Sequence, residues 1–195
     1  MRFLVPLALI GASLSFAQVQ SWTIDSAHSA AQFSVRHLMV STVRGDFSGL
    51  KGSVQFDPKD LSKTAVEATI DVATVNTREP NRDKHLKSAD FFDVEKFPAM
   101  TFKSKSVAKA GNNLRLTGDL TLHGVTRTVV FDVEGPTPEV NAGRAIKSGA
   151  TATAKISRKD FGMTWNRAIE AGGVTVGDEV TITIDVELNR PVAAR

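Results

Sequence analysis

The sequence predicts an all-β protein of many short antiparallel strands, whose dry faces must close on one another as a barrel or a sandwich. Three observations carry this. Apolar and polar residues alternate through most of the chain. Turn-forming residues separate the alternating runs. No cysteine is present among the 195 residues to staple a smaller core.

Taken in order, the chain opens with Arg2, an apolar run from Phe3 to Leu14, and the small residues Ser15 and Ala17 around Phe16. This is the pattern of a cleaved secretory signal, and the run is too short to span a bilayer. Residues 1–17 are therefore expected to be removed, leaving one domain over residues 18–195. About 178 residues can bury a core without a covalent staple.

The first strand carries Ala31, Phe33 and Val35 on one face. Val54 with Phe56, and Val66, Ala68, Ile70 and Val72, follow across the Asp57-Pro58 turn signal. From Asn81 to Phe92 the alternation lapses into charges closed by Phe91-Phe92, which reads as one or two short helical turns. Alternation resumes over Met100–Val107 and then over Leu114, Leu116, Leu120 and Leu122, with Gly111-Asn112-Asn113 between them as a hairpin turn. Val129, Phe131 and Val133, the stretch Ala150–Ile156, and the regular run from Val180 to Leu188 bring the total to about nine strands. Gly135-Pro136-Thr137-Pro138 and Gly172-Gly173 mark further turns. Ser157–Gly173 has no period.

Removing Arg2 takes 24 Lys and Arg to 23, against 21 Asp and Glu, a net charge of +2. The basic residues are scattered, so nucleic acid is not an expected partner. An outer-membrane barrel needs aromatic girdles, and the chain has no tyrosine and two tryptophans. With neither staple nor anchor, the expectation is a soluble periplasmic or extracellular protein, not an integral membrane one.

No constellation points to catalysis. His28, His37, His85 and His123 lack the close spacing of a metal site, so no metal and no cofactor is expected. Asp25-Ser26-Ala27-His28-Ser29 holds the residue types of a hydrolase triad, but that geometry draws on distant positions. Gly45-Asp46-Phe47-Ser48-Gly49 places serine one residue late for a nucleophile elbow. The densest polar cluster is Arg78, Arg82, Asp83, Lys84 and His85. It reads either as a solvated loop or as a mouth for a polar head group, since arginine suits phosphate.

Several ordered motifs carry a resemblance across most of the chain. Trp22-Thr23-Ile24-Asp25-Ser26-Ala27-His28-Ser29 leads to Phe33, Arg36-His37 and Gly45-Asp46-Phe47. Asn76-Thr77, Arg82-Asp83-Lys84-His85-Leu86, Asp90-Phe91-Phe92-Asp93 and Lys96-Phe97-Pro98 follow. Leu116 to Thr126 and Ser157-Arg158-Lys159-Asp160-Phe161-Gly162 complete the set. The chain resembles the YceI-like family, lipocalin-like envelope proteins associated with polyisoprenoid binding. Thr128 departs from it, standing where the family often carries proline after the His-Gly pair.

The resemblance implies a closed antiparallel lipocalin-like barrel of about eight strands, with one or two short helices. It also implies a lumen that takes a polyisoprenoid or similar amphiphilic lipid, for carriage, storage or sequestration, and no established reaction. From alternation, Phe33, Val35, Phe56, Ile70, Phe102, Leu120, Phe131, Ile182 and Ile184 are the lumen candidates. Arg36, His37, Arg82, His85 and Arg158 are the head-group candidates. A lipid-modifying enzyme and a ligand-free stress-response barrel are the alternatives, and monomer and homodimer both stay open. The intact mass of exported protein should place its N-terminus at Gln18; a full-length chain held in the inner membrane would contradict this.

Overall fold

The computed structural model describes residues 19–168 and 174–192, so the expected signal segment and the Gly172-Gly173 turn lie outside the described residues. Eleven strands form one sheet. They are β1 (Gln20–Ile24), β2 (Ala30–His37), β3 (Ser41–Phe47), β4 (Lys51–Phe56), β5 (Ala65–Asp71), β6 (Ala99–Ala110), β7 (Asn113–Leu122), β8 (Val125–Glu134), β9 (Val140–Asn141), β10 (Ala145–Ser157) and β11 (Val176–Pro191).

Following the pairings β1–β4–β5–β6–β7–β8–β10–β11 and back to β1 closes a ring of eight. The remaining strands extend positions already in that ring. Along β11, the segment Val176–Asp185 pairs with β2, and Leu188–Asn189 pairs with β1. β1 and β2 thus share one barrel position end to end. β4 and β3 share the next, beside β1 and β2 respectively. The Asp46–Asn76 bridge continues that seam beyond β5. The structure is the closed eight-stranded antiparallel barrel expected. Two positions split in two, with the short β9, account for the larger strand count.

Turn chemistry fixes the register. Gly111 and Asn112 join β6 to β7, with Gly111 at φ 64°. His123 (φ 51°) and Gly124 (φ 71°) join β7 to β8 as a two-residue turn with both residues left-handed. In β6 the pairing slips between Ser104 and Ser106, a bulge at Lys105. It lets Met100 and Phe102 on one side of the bulge and Val107 on the other all face inward despite opposite parity.

The charged segment forms one helix, α1 (Pro80–Lys87). Glu79 caps it by accepting from the Asn81 and Arg82 amides, and Pro80 occupies the first turn, where no donor is needed. A 3-10 turn, Arg158–Phe161, opens the stretch that lacked periodicity. α1, Phe91-Phe92 and this turn cap one end of the barrel, called here the helical end. The β4–β5 and β6–β7 turns and the β8–β10 connection surround the other, the hairpin end.

Outward positions carry cross-strand charge pairs: Lys103–Glu67 (3.0 Å), Lys105–Asp119 (2.6 Å) and Lys155–Glu179 (2.9 Å). Water solvates such a face and lipid does not, so on these strands the charged side is the outer one and the apolar side the inner one.

Gly45 shows what the inner face demands. It sits in β3 directly opposite Phe33, and a Cβ there would fall 2.5 Å from the Phe33 ring and 2.8 Å from the Thr77 methyl. The run continues from β3 through Ser48-Gly49-Leu50 into β4, with no helix after it, which excludes the nucleophile-elbow reading. Gly45→Ala should cost about 1–3 kcal/mol by overpacking, read in urea denaturation. Phe33→Leu in the same chain should recover part of that loss; strictly additive losses would show that the ring is not the obstacle.

Candidate functional site: the barrel lumen and its two ends

The lumen holds two cavities in line. One, of about 260 Å³, occupies the hairpin half and is lined by Trp22, Phe56, Phe102, Leu116, Phe131 and their neighbours. The second, of about 120 Å³, lies toward the helical end among Phe33, Val35, Phe47, Leu86, Phe91 and Phe92. Ile70, Met100, Leu122, Ile182 and Ile184 line both and form the waist between them. All nine lumen candidates border one cavity or the other.

An eight-stranded barrel can fill its interior with side chains. This one does not, and β10 supplies much of the reason. Its inner positions Ser148, Ala150 and Ala152 line the larger cavity, and Ala154 continues the row in the core. Small side chains on β10 leave open the space that Phe102 and Phe131 face from other strands. The Ala-Thr-Ala-Thr-Ala alternation of residues 150–154 is the sequence signal for a hollow barrel.

The head-group candidates fare differently. Arg36 has the outward parity of β2 and is spent within its hairpin, donating to Thr42 Oγ1 (3.1 Å) and the Met39 carbonyl (2.6 Å). His37 is half-buried at the end of β2, opposite Val176 and Ser41. Arg82 donates from Nε to Thr77 Oγ1 (2.8 Å) and from Nη2 to the Thr77 carbonyl (2.8 Å). Asp83 accepts the Thr77 amide (2.8 Å) and hydroxyl (2.5 Å). Together they lock α1 onto the chain that precedes it. His85 bonds Asp90 (2.7 Å), and its ring meets Phe91 and Trp165 edge to face.

Arg158 is the clearest correction. It is 3% exposed and borders the smaller cavity, yet all five guanidinium donors have acceptors within the protein. Nε donates to the Gly177 carbonyl (2.9 Å). Nη1 donates to those of Met163 (2.6 Å) and Trp165 (2.9 Å), and Nη2 to the Val176 carbonyl (3.4 Å) and Asp178 (3.2 Å). Nothing is left for a head group. The residue clamps the loop after the 3-10 turn onto the start of β11, and its long-range carbonyl partners could not be read from sequence.

Outside the barrel, Asp25, His28 and Glu187 gather ligand-type atoms. The cation they hold is the chain's own Lys147, which reaches Glu187, Asn189 (3.0 Å) and Asp25 (3.6 Å). The Asn189 and His28 hydrogen bonds keep the Asp25 carboxyl well below the usual carboxylate range. A metal ion would have to displace that ammonium. His28, moreover, is exposed on the outer rim and faces the Asp25 and Glu187 carboxylates, so the triad-like run folds as an ion-pair cluster.

The geometry agrees with comparisons to known proteins. The model of the YceI-like domain matches residues 22–188. The chain belongs to the YceI-like family. UPF0312 proteins of Staphylococcus aureus strains MSSA476 and MW2 are each 37% identical over 171 residues, covering 87% of this chain and 97% of theirs. Among solved YceI-like structures, the Campylobacter jejuni YceI protein is 32% identical, with a TM-score of 0.68 over 80% of this chain and 90% of that one. BcnA of Burkholderia cenocepacia is 25% identical, with a TM-score of 0.71 over 84% of this chain and 98% of that one. A Saccharophagus degradans domain described as polyisoprenoid-binding shares the fold at 15% identity, with a TM-score of 0.63 over 89% and 100% of the two chains.

Replacing the clamp tests its structural role. Arg158→Met strands buried carbonyls and should destabilise the protein by about 3–5 kcal/mol in urea denaturation. A wild-type midpoint would show that the clamp contributes nothing.

Proposed function

We propose that this YceI-like barrel binds a long-chain isoprenoid or similar amphiphile in its lumen, and carries, stores or sequesters it in the periplasm. The observation that carries the reading is the pair of collinear apolar cavities meeting at a waist of movable aliphatic side chains. Their volumes together fall within the ~300–1,000 Å³ usual for ligand sites. Along β10, Ser148 to Ser157 spans about 30 Å at ~3.3 Å per residue, or some 23 Å along the axis of a barrel with ordinary strand tilt. That shape suits an extended chain better than a compact ligand.

The energetics point the same way. Each methylene taken from water contributes about 0.8 kcal/mol, so one isoprene unit supplies roughly 4 before ordering costs. A few enclosed units offset the ordering of a flexible tail. The polyisoprenoid-binding description of the Saccharophagus domain supports the ligand class, and the expected signal segment supports the compartment. Among the described residues the lumen wall holds no histidine beside its serine and threonines, which favours binding over lipid modification.

Native mass spectrometry of protein purified from its host envelope should show a co-purifying lipid released unchanged. Conversion of that lipid on incubation would make the protein an enzyme. Two variants test the lumen itself. Ile184→Asp puts an unpaired carboxylate at the waist and should lower both melting temperature and lipid uptake. Ala152→Leu fills the larger cavity and should abolish uptake while leaving the melting temperature unchanged or higher. Normal loading of Ala152→Leu would place the ligand elsewhere.

A further inference from the structure

The inward alternation of β11 runs through Ile182, Ile184, Val186 and Leu188, all bordering the larger cavity. Two residues further on it reaches Arg190. The guanidinium lies over the Trp22 ring, 5.1 Å from its centroid, and Trp22 lines the same cavity. Each end of the lumen therefore has an arginine on the inner face, and the two differ in one respect. Arg158, at the helical end, has every donor satisfied. Arg190, at the hairpin end, pairs through Nη2 with Glu139, while its buried Nε has no acceptor.

A second orphan stands at the same end. Thr64 Oγ1 is buried without a partner, and Thr64 borders the larger cavity just before β5. Among the described residues these are the two buried side-chain polar atoms left unpaired. Gln20, the first residue of β1, borders the cavity between them in strand order. Buried polar groups are normally satisfied, and two orphans on one rim call for a polar partner that comes from outside the chain. The Arg190 charge sets its sign. Glu139, partly exposed on the β8–β10 connection, already supplies a carboxylate there and itself borders the cavity.

We infer that the hairpin end is the head-group site for an amphiphile with an anionic oxygen head, phosphate or carboxylate. Arg190 receives the head, Glu139 gives way to it as the resident counter-ion, and Thr64 lines the same rim three strand positions away. The inference rests on the lumen reading above and orients it: the tail runs from Arg190 through the waist toward α1. Arg82 and His85 then lie at the tail end, where they cannot distinguish one head from another.

The test is calorimetric titration with geranylgeranyl phosphate, geranylgeraniol and palmitate. Arg190→Gln should weaken geranylgeranyl phosphate, palmitate or both by at least about tenfold, and leave geranylgeraniol within about twofold, the difference one charge-assisted hydrogen bond makes. Loss for the phosphate alone identifies the head as phosphate, and loss for palmitate alone identifies it as carboxylate. Glu139→Gln should tighten the same anion by freeing Arg190. Arg82→Ala with His85→Ala should change phosphate and alcohol binding equally. Equal losses for all three ligands in Arg190→Gln, or no loss for either anion, would overturn the assignment while leaving the lumen reading intact. Failure of the wild-type protein to take up any of the three would overturn the lumen reading itself.

Discussion

The ladder between β10 and β11, running from Ala145 opposite Pro191 to Ser157 opposite Glu179, is the constraint on which the rest of the barrel depends. It closes the ring, so no edge remains at that seam. It also fixes parity on both strands over their length. A shift by one residue would turn Ile182, Ile184, Val186 and Leu188 to water and bring Thr181, Thr183, Asp185 and Glu187 inside. Cross-strand bonds on the outer face oppose that slip: Thr151 to Asp185 at 2.7 Å, and Lys155 to Glu179 at 2.9 Å. The same parity carries Arg158 and Arg190 to the inner face at opposite ends. One register therefore sets the apolar wall, its small-residue strip on β10 and the charges that terminate it.

The two ends of the lumen are built to different purposes. At the helical end, polar groups are consumed internally: Arg158 by five acceptors, Arg82 and Asp83 by Thr77, and His85 by Asp90. Phe91 and Phe92 face the smaller cavity beneath them. That end behaves as a packed cap. At the hairpin end, the cavity wall contains Gln20, Thr64, Thr137, Glu139 and Ser148, with partly unmet hydrogen-bonding capacity. An apolar tube whose polar groups are spent at one end and partly unmet at the other is complementary to an amphiphile in a single orientation.

Much of this was legible in the sequence because period-two alternation is a local signal. It located the long runs on β7, β10 and β11 and the inward set from Phe33 to Ile184. What escaped it depends on contacts distant in sequence. The bulge at Lys105 reverses parity within β6, and the sharing of one barrel position by β1 and β2 emerges only from their common partner β11. Arginine's fit to phosphate underlies the head-group reading at Arg82 and Arg158. Their carbonyl acceptors lie up to 19 residues away for Arg158 and cannot be inferred from composition. Arg190 lies within reach of the same signal: continuing the even positions of β11 past Leu188 puts it inside, although the apolar run itself ends at Leu188.

The central claim is that a chain-like amphiphile occupies the lumen through its waist. Intermolecular NOEs between geranylgeranyl phosphate and methyl-labelled protein test it most directly. The account predicts NOEs from the isoprenoid methyls to Ile70, Ile182 and Ile184, the aliphatic side chains shared by the two cavities. NOEs confined to the exposed Leu38, Met39 and Val40 of the β2–β3 hairpin, with none at the waist, would contradict it.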